Sequence, residues 1–224
     1  MATQYANGKI VTSGLVLALD AADRNSYPGS GTTWNDVSGN NNSGILTNGP
    51  TFSNNNGGCI AFDATDDFAT ITSNAVFNFG TGDFTLETWI YPESFSTYLH
   101  MIQMPDQGTF ALKANITDGA IYFYNPSFTT YGSTPNWTLV LNKWNYVAMT
   151  RVSSVAYVYL NGESKGSKTS FTTNFSNDTI KIHGGHFGGE FAQCKIATTK
   201  IYNKGLAASE ILQNYNAQKS RFNL

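Results

Sequence analysis

About a dozen short apolar or alternating runs, each closed within a few residues by Gly, Asn, Asp or Pro, constrain this chain more than any other feature. The first is Leu15–Asp20. Ser43–Thr47, Gly58–Asp63, Phe68–Thr72, Phe84–Tyr91, Thr97–Met104, Thr109–Ala114 and Ala120–Tyr124 follow, then Trp137–Val140, Trp144–Arg151, Ala156–Leu160, Ser164–Thr169, Thr179–Ile182 and Cys194–Tyr202. In Phe84–Ile90 the side chains Phe84, Leu86 and Ile90 share one face, and Thr85, Glu87 and Trp89 the other, which is the period-two pattern of a strand with two distinct sides. Asn161-Gly162 joins two such runs, and a type I′ hairpin needs positive φ at both of its central residues. One helix is expected, Leu206 to Asn216, with Leu206, Ile211, Leu212 and Tyr215 as its apolar stripe. Strands without a long linker, ending in one helix, read as a single β-sandwich.

The 224 residues carry 12 % charged side chains and a formal net charge of −2. That leaves no basic excess for a nucleic-acid surface. No apolar run reaches the roughly 18 residues of a membrane span, and the start, Met1 to Gly8, lacks the basic and apolar regions of a signal peptide. Cys59 and Cys194 both sit in apolar stretches and read as buried free thiols. The polar stretch Ala22–Asn42 is a loop that Trp34 and Val37 pin to the core. An arm, residues 1–12, and a tail, residues 219–224, flank the domain at 13–218. The tail is expected to be loose unless Phe222 docks.

Four segments together resemble the concanavalin A-like, laminin-G-like jelly-roll superfamily. They are Gly14–Asp20, Gly57–Phe68, Asp83–Pro92, and Ile196–Leu206 running on to Ser209-Glu210-Ile211, with Trp144–Ala148 and Val158–Gly162 as a further pair. The resemblance implies an all-β jelly-roll sandwich of two antiparallel sheets with a short C-terminal helix. With its Asn- and Gly-rich insert near Ser38–Gly49, this version is similar to domains found in tailed-phage virion proteins and bacterial surface proteins. It implies a non-enzymatic virion structural or surface protein (tail, spike or capsid decoration) with other virion proteins as partners, cell-surface carbohydrate as a ligand, and a homo-oligomeric state. The arm is expected to contact a neighbouring chain. A free bacterial lectin, extracellular rather than virion-borne, is the alternative, and a glycoside hydrolase or lyase is a third reading. Three positions depart from the family pattern: Ala64 in place of Gly, Ala197 in place of an acid that some relatives use for metal, and Ala207 where Ser or Thr would cap the helix.

Two candidate sites follow from residue chemistry. Asp63, Asp66 and Asp67 cluster at one turn, and carboxylates with loop carbonyls suit Ca²⁺, although Asp also caps turns without any metal. Tyr98, Tyr122, Tyr124, Phe128, Tyr131 and Trp137 lie in segments rich in amides, where rings can stack on sugar faces or plug the sandwich or an interface. Glu87, Glu93 and Glu190 lack the close spacing of glycosidase pairs and read as surface carboxylates. His183 and His186 read as members of a solvated loop spanning Ile182–Gly189, with His100 distant in sequence.

Overall fold

The computed structural model describes residues 4–5, 8–95, 98–104, 110–115, 119–125, 128–131, 138–175, 179–184 and 190–224. In chain order the strands are β1 (Gln4–Tyr5), β2 (Gly8–Lys9), β3 (Leu15–Asp20), β4 (Thr33–Trp34), β5 (Gly44–Thr47), β6 (Thr51–Ser53), β7 (Cys59–Phe62), β8 (Phe68–Ile71) and β9 (Phe84–Pro92). They continue as β10 (Leu99–Met104), β11 (Phe110–Ala114), β12 (Ile121–Asn125), β13 (Phe128–Tyr131), β14 (Asn145–Val152), β15 (Val155–Leu160), β16 (Glu163–Lys168), β17 (Ile180–Ile182) and β18 (Cys194–Tyr202), before α1 (Ala208–Gln218). β4, β6 and β13, and β1 and β2 in the arm, lie outside the strands expected from the sequence, because each is short and lacks an apolar alternation of its own, whereas of the expected Trp137–Val140 the described residues show only a bridge between Thr138 and Ala120.

Apart from the small β1–β2 ribbon, the strands form two antiparallel sheets. The first runs β16-β15-β14-β9-β18-β7-β6, with β3 also on β18; the second runs β13-β12-β11-β10-β17-β8-β5-β4. β18 holds β9 along one side. The register of that pair shifts between Ile196 and Thr198, and on the other side of β18, at the same point, β7 gives way to β3. The main core lies between the sheets and includes Phe84, Leu86 and Ile90 from the strand whose alternation announced it, with Trp34 fully buried. Asn161 and Gly162 both take positive φ, 53° and 81°, at the expected hairpin. The Asn-rich insert is fastened by Asp36, whose carboxylate accepts the N–H groups of Ala18, Ser38 and Asn42 and the Ser38 hydroxyl.

A second hydrophobic cluster covers the outer face of the first sheet. Trp89, Tyr146, Tyr202, Leu206, Ile211 and Phe222 meet there, and Phe222 stacks on Trp89 at 4.1 Å between ring centroids. The tail is therefore docked: Lys219–Phe222 forms a 3-10 turn, and Arg221 pairs with Asp20 at 2.7 Å. The described part of the arm is held by its own chain. Val11 N–H donates to Asn214 Oδ1, Tyr202 OH donates to the Val11 carbonyl, and Gln213 donates to the Lys9 carbonyl.

The helix stripe also differs from expectation. Leu212 is 44 % exposed, whereas Asn214 and Gln218 are fully buried. These two amides are inside because the sheet beneath them is polar. Asn214 donates to Glu87 Oε1 at 2.8 Å, and Gln218 Oε1 accepts from Trp89 Nε1 and from Lys200 Nζ. An isolated helix of 11 residues is marginal, and Ala207 offers no capping side chain, so Glu210 reaches back to the Ala207 N–H at 2.9 Å. Packing and this polar seam hold the helix in place. Among the described residues no helix is long and apolar enough to cross a membrane.

Candidate functional site

Helix α1 and the tail close much of the first sheet's outer face. The outer face of the second sheet carries a different arrangement, centred on β10. A register shift between His100 and Ile102 sends both Met101 and Ile102 into the core. His100 and Gln103, three residues apart, consequently share the outer side, where strict alternation would have separated them. His100 lies opposite Lys113 of β11, and Lys113 opposite Tyr122 of β12; Ala111 lies opposite both Gln103 and Tyr124.

His100 Nε2 meets Glu190 Oε2 at 2.6 Å. Burial lowers the His100 pKa against the pull of Glu190, and the same hydrogen bond lowers that of Glu190. The imidazole is then neutral. A carboxylate cannot donate, so Nε2 carries the proton and Nδ1 presents a lone pair. That Nδ1 is buried and, among the described residues, has no hydrogen-bond partner. The amide of Gln103 donates to the Gly184 carbonyl, which leaves Gln103 Oε1 buried and likewise unpartnered. Lys113 Nζ sits 3.9 Å from the centre of the Tyr98 ring, and Lys181 Nζ lies 4.3 Å above Phe68; burial lowers both lysine pKa values.

Tyr98 thus borders this cluster. Tyr122 and Tyr124 fall on β12 beside it, and Phe128 and Tyr131 belong to the edge strand β13, where Tyr131 lies opposite Phe123 and Phe128 opposite Asn125. Trp137 and His186 lie outside the described residues. Sequence reasoning missed His100, Gln103 and Glu190 as a group, since 90 residues separate His100 from Glu190 and only the bulge unites His100 with Gln103.

Asp63, Asp66 and Asp67 do come together, with ligand atoms within 4.8 Å of one another. Asp63 Oδ1 accepts the Thr65 and Asp66 N–H groups and Asp67 Oδ2 accepts the Asp63 N–H, so the carboxylates cap the turn between β7 and β8. The donor set suits a hard cation, and the turn bonds account for the same residues.

Glu87 and Glu93 do not stand as a glycosidase pair. Glu87 is fully buried under α1, a correction to its reading as a surface group. Glu93 lies six residues further along and pairs with Lys195 at 2.6 Å. At about 3.3 Å per extended residue they stand roughly 20 Å apart, against about 5–9.5 Å for an acid and its base or nucleophile. Glu190 faces His100 on the other sheet.

His183 is not in a solvated loop. It is fully buried, with Nδ1 3.6 Å from Cys194 Sγ and its ring 5.0 Å from that of Phe62. Both Cys194 and Cys59 are free and buried. Burial pushes the His183 pKa down to about 4. A depressed folded-state pKa supplies stability above the unfolded value of about 6.5, which is lost as the pH falls toward the folded value. Between pH 7.5 and 5 the expected loss from His183 is about 2 kcal/mol. Urea unfolding at the two pH values checks it. His183→Asn, which tolerates the φ of 61° at this position, should lessen the loss by about that amount; an equal loss in both proteins would refute the assignment.

A family model described as the concanavalin A-like lectin/glucanases superfamily matches residues 63–212. No curated protein sequence matches the chain. Among solved structures, Trypanosoma rangeli sialidase superposes with a TM-score of 0.73 at 16 % identity, over 96 % of this chain and 34 % of the sialidase chain. The binding domain of Paraclostridial Mosquitocidal Protein 1 gives 0.71 at 18 % identity, over 91 % of this chain and 52 % of that one. The binding domain of botulinum neurotoxin serotype G gives 0.70 at 16 % identity, over 92 % and 51 %. This chain therefore spans a third to a half of the solved chains it resembles. The likenesses bear on the fold, a lectin-like jelly-roll sandwich of two antiparallel sheets.

Proposed function

The chain belongs to the concanavalin A-like lectin/glucanases superfamily, and on that footing we propose that it is a non-enzymatic, lectin-like binding and structural module. The observation that carries this reading is the pair of buried acceptors, His100 Nδ1 and Gln103 Oε1, left without partners on one side of β10. A buried acceptor without a donor costs about 1–3 kcal/mol. For a ligand rich in hydroxyl groups to supply the two missing donors, the side chains that cover them must move aside, and Tyr98 offers a ring at the border of the site. Carbohydrate is the ligand class with that chemistry, and two of the similar structures are named as binding domains, one of a mosquitocidal protein and one of a neurotoxin.

The setting we propose is a virion surface, as a tail, spike or capsid-decoration component that contacts other virion proteins, forms a homo-oligomer and adheres to cell-surface glycans. The sequence resemblance supports this setting. Because residues 8–12 are tied to α1 of their own chain, self-association would use the sandwich faces rather than the described part of the arm.

A glycan array on the purified chain tests the binding reading. Gln103→Met removes the acceptor at nearly equal volume and is expected to lower retention of the bound glycan at least tenfold while the melting temperature stays within a few degrees. Binding that survives Gln103→Met unchanged, or release of reducing sugar from a polysaccharide, would overturn it. Co-sedimentation with purified particles separates the virion component from a free bacterial lectin.

A further inference from the structure

The outer face of the first sheet is not wholly closed. Beyond the end of the tail, Tyr91 of β9, Lys195 of β18, Ala61 of β7 and Thr51 of β6 stand opposite one another in a single row across four strands. Their neighbours Ile90, Ile196, Ile60 and Phe62 point into the main core, so alternation puts the row on the outer side. Ala61 is the small member, and it leaves a trough between Lys195 and Thr51.

Two cavities open along this row. The first, of about 200 Å³, is lined by Asn55, Asn56, Tyr91, Trp144 and Lys195. The second, of about 210 Å³, is lined by residues that include Thr51, Ala61, Asp63, Asp67, Glu93 and Gln193. The ion pair Lys195–Glu93 lies between them, one partner lining each. The end wall is rigid. Trp144 is nearly buried and donates to Asn56 Oδ1, and Asn56, at a φ of 52°, is clamped in turn by Arg221. Tyr91 is half-buried, with its ring 5.5 Å from that of Trp144 and 5.0 Å from Lys195 Nζ. Asn55 is exposed at the rim.

We propose that this trough is a second saccharide site, for a neutral glycan segment of two sugar units, one in each cavity. The first cavity offers the Tyr91 ring to a sugar face and the Asn55 amide to its hydroxyls. The second offers mainly acceptors: the carboxylates of Asp63, Asp67 and Glu93, with the Gln193 amide. Hydroxyl groups donate to such a set, whereas three carboxylates against one lysine repel sialylated or uronic acid units. Each cavity is smaller than the roughly 300–1,000 Å³ typical of pockets for drug-sized ligands, a size suited to one sugar unit apiece. The site lies on the opposite sheet from His100 and Gln103, so it stands or falls independently of the first.

Isothermal titration of the full chain with maltose, cellobiose, lactose and sialyllactose tests it. At least one neutral disaccharide is expected to bind, more tightly than sialyllactose. Ala61→Leu, which fills the trough, and Tyr91→Ala should each weaken that binding at least tenfold, with Asn55→Ala as a rim variant outside the packed structure that weakens it several-fold. Gln103→Met should leave it unchanged. Absence of binding by every neutral disaccharide, preference for sialyllactose, or binding indifferent to Ala61→Leu and Tyr91→Ala would overturn the site. Loss of disaccharide binding through Gln103→Met alone would overturn it as well and assign the ligand to the first site.

Discussion

Replacing Arg151 with methionine is expected to destabilise the fold by about 3 kcal/mol, read as a fall in the urea midpoint at constant slope. Arg151 is fully buried on β14, and its guanidinium donates to the carbonyls of Gly80, Gly82 and Thr173 at 2.8, 2.6 and 2.5 Å. The rings of Phe84, Phe175 and Phe171 surround it at 4.8, 5.2 and 5.7 Å from the guanidinium carbon. Burial lowers its pKa to about 10, with Asp83 opposing the shift, so the group stays charged at neutral pH. It ties the segment around Gly80–Gly82 to the segment around Thr173, where Gly80 and Phe175 form an isolated bridge. Methionine fills similar space but leaves carbonyls without these donors, at about 1–3 kcal/mol for each that stays buried. Arg151→Lys keeps the charge without the planar fork and should recover only part of the loss. A change below about 1 kcal/mol for Arg151→Met would show that the two segments close without the clamp.

The second large effect is expected at Lys200. Its ammonium lies 3.9 Å from Glu87 Oε2, both side chains are almost wholly buried, and each is tied to the helix by an amide. Burial pushes the Glu87 pKa up and the Lys200 pKa down, each against the pull of the other. Lys200→Met removes the only cation at this carboxylate among the described residues and should cost about 3–5 kcal/mol at pH 8. The loss should shrink toward pH 5. Glu87 has a raised folded-state pKa, so its burial is tolerated when protonated and penalised as the pH rises through that value. Glu87→Gln in the Lys200→Met background removes the stranded charge and is expected to recover most of the stability. A double variant no better than Lys200→Met would mean that the helix is held by its apolar contacts alone.

The parts of the fold legible in the sequence are those set by contiguous residues. The Phe84-Leu86-Ile90 face, the Asn161-Gly162 hairpin and the late helix each follow from periodicity or from φ preferences that a few neighbouring residues determine. The family resemblance, likewise carried by short motifs in order, pointed to the sandwich. Asp63, Asp66 and Asp67 were found because one turn holds all three.

The remainder depended on elements far apart in the chain. Glu87 sits on the non-core face of its strand, as alternation said, yet whether that face meets water is decided by Asn214, 127 residues later. Asn214 and Gln218 look like solvent-facing helix positions until a polar sheet surface is placed beneath them. His100 and Gln103 share a side only because one extra residue bulges from β10, and the trough is a row across four strands, from Thr51 to Tyr91. Local periodicity records which face of a segment is apolar. It carries no record of what covers the opposite face or which residues line up across a sheet, because register and layer packing are set by contacts between segments that only the folded chain brings together.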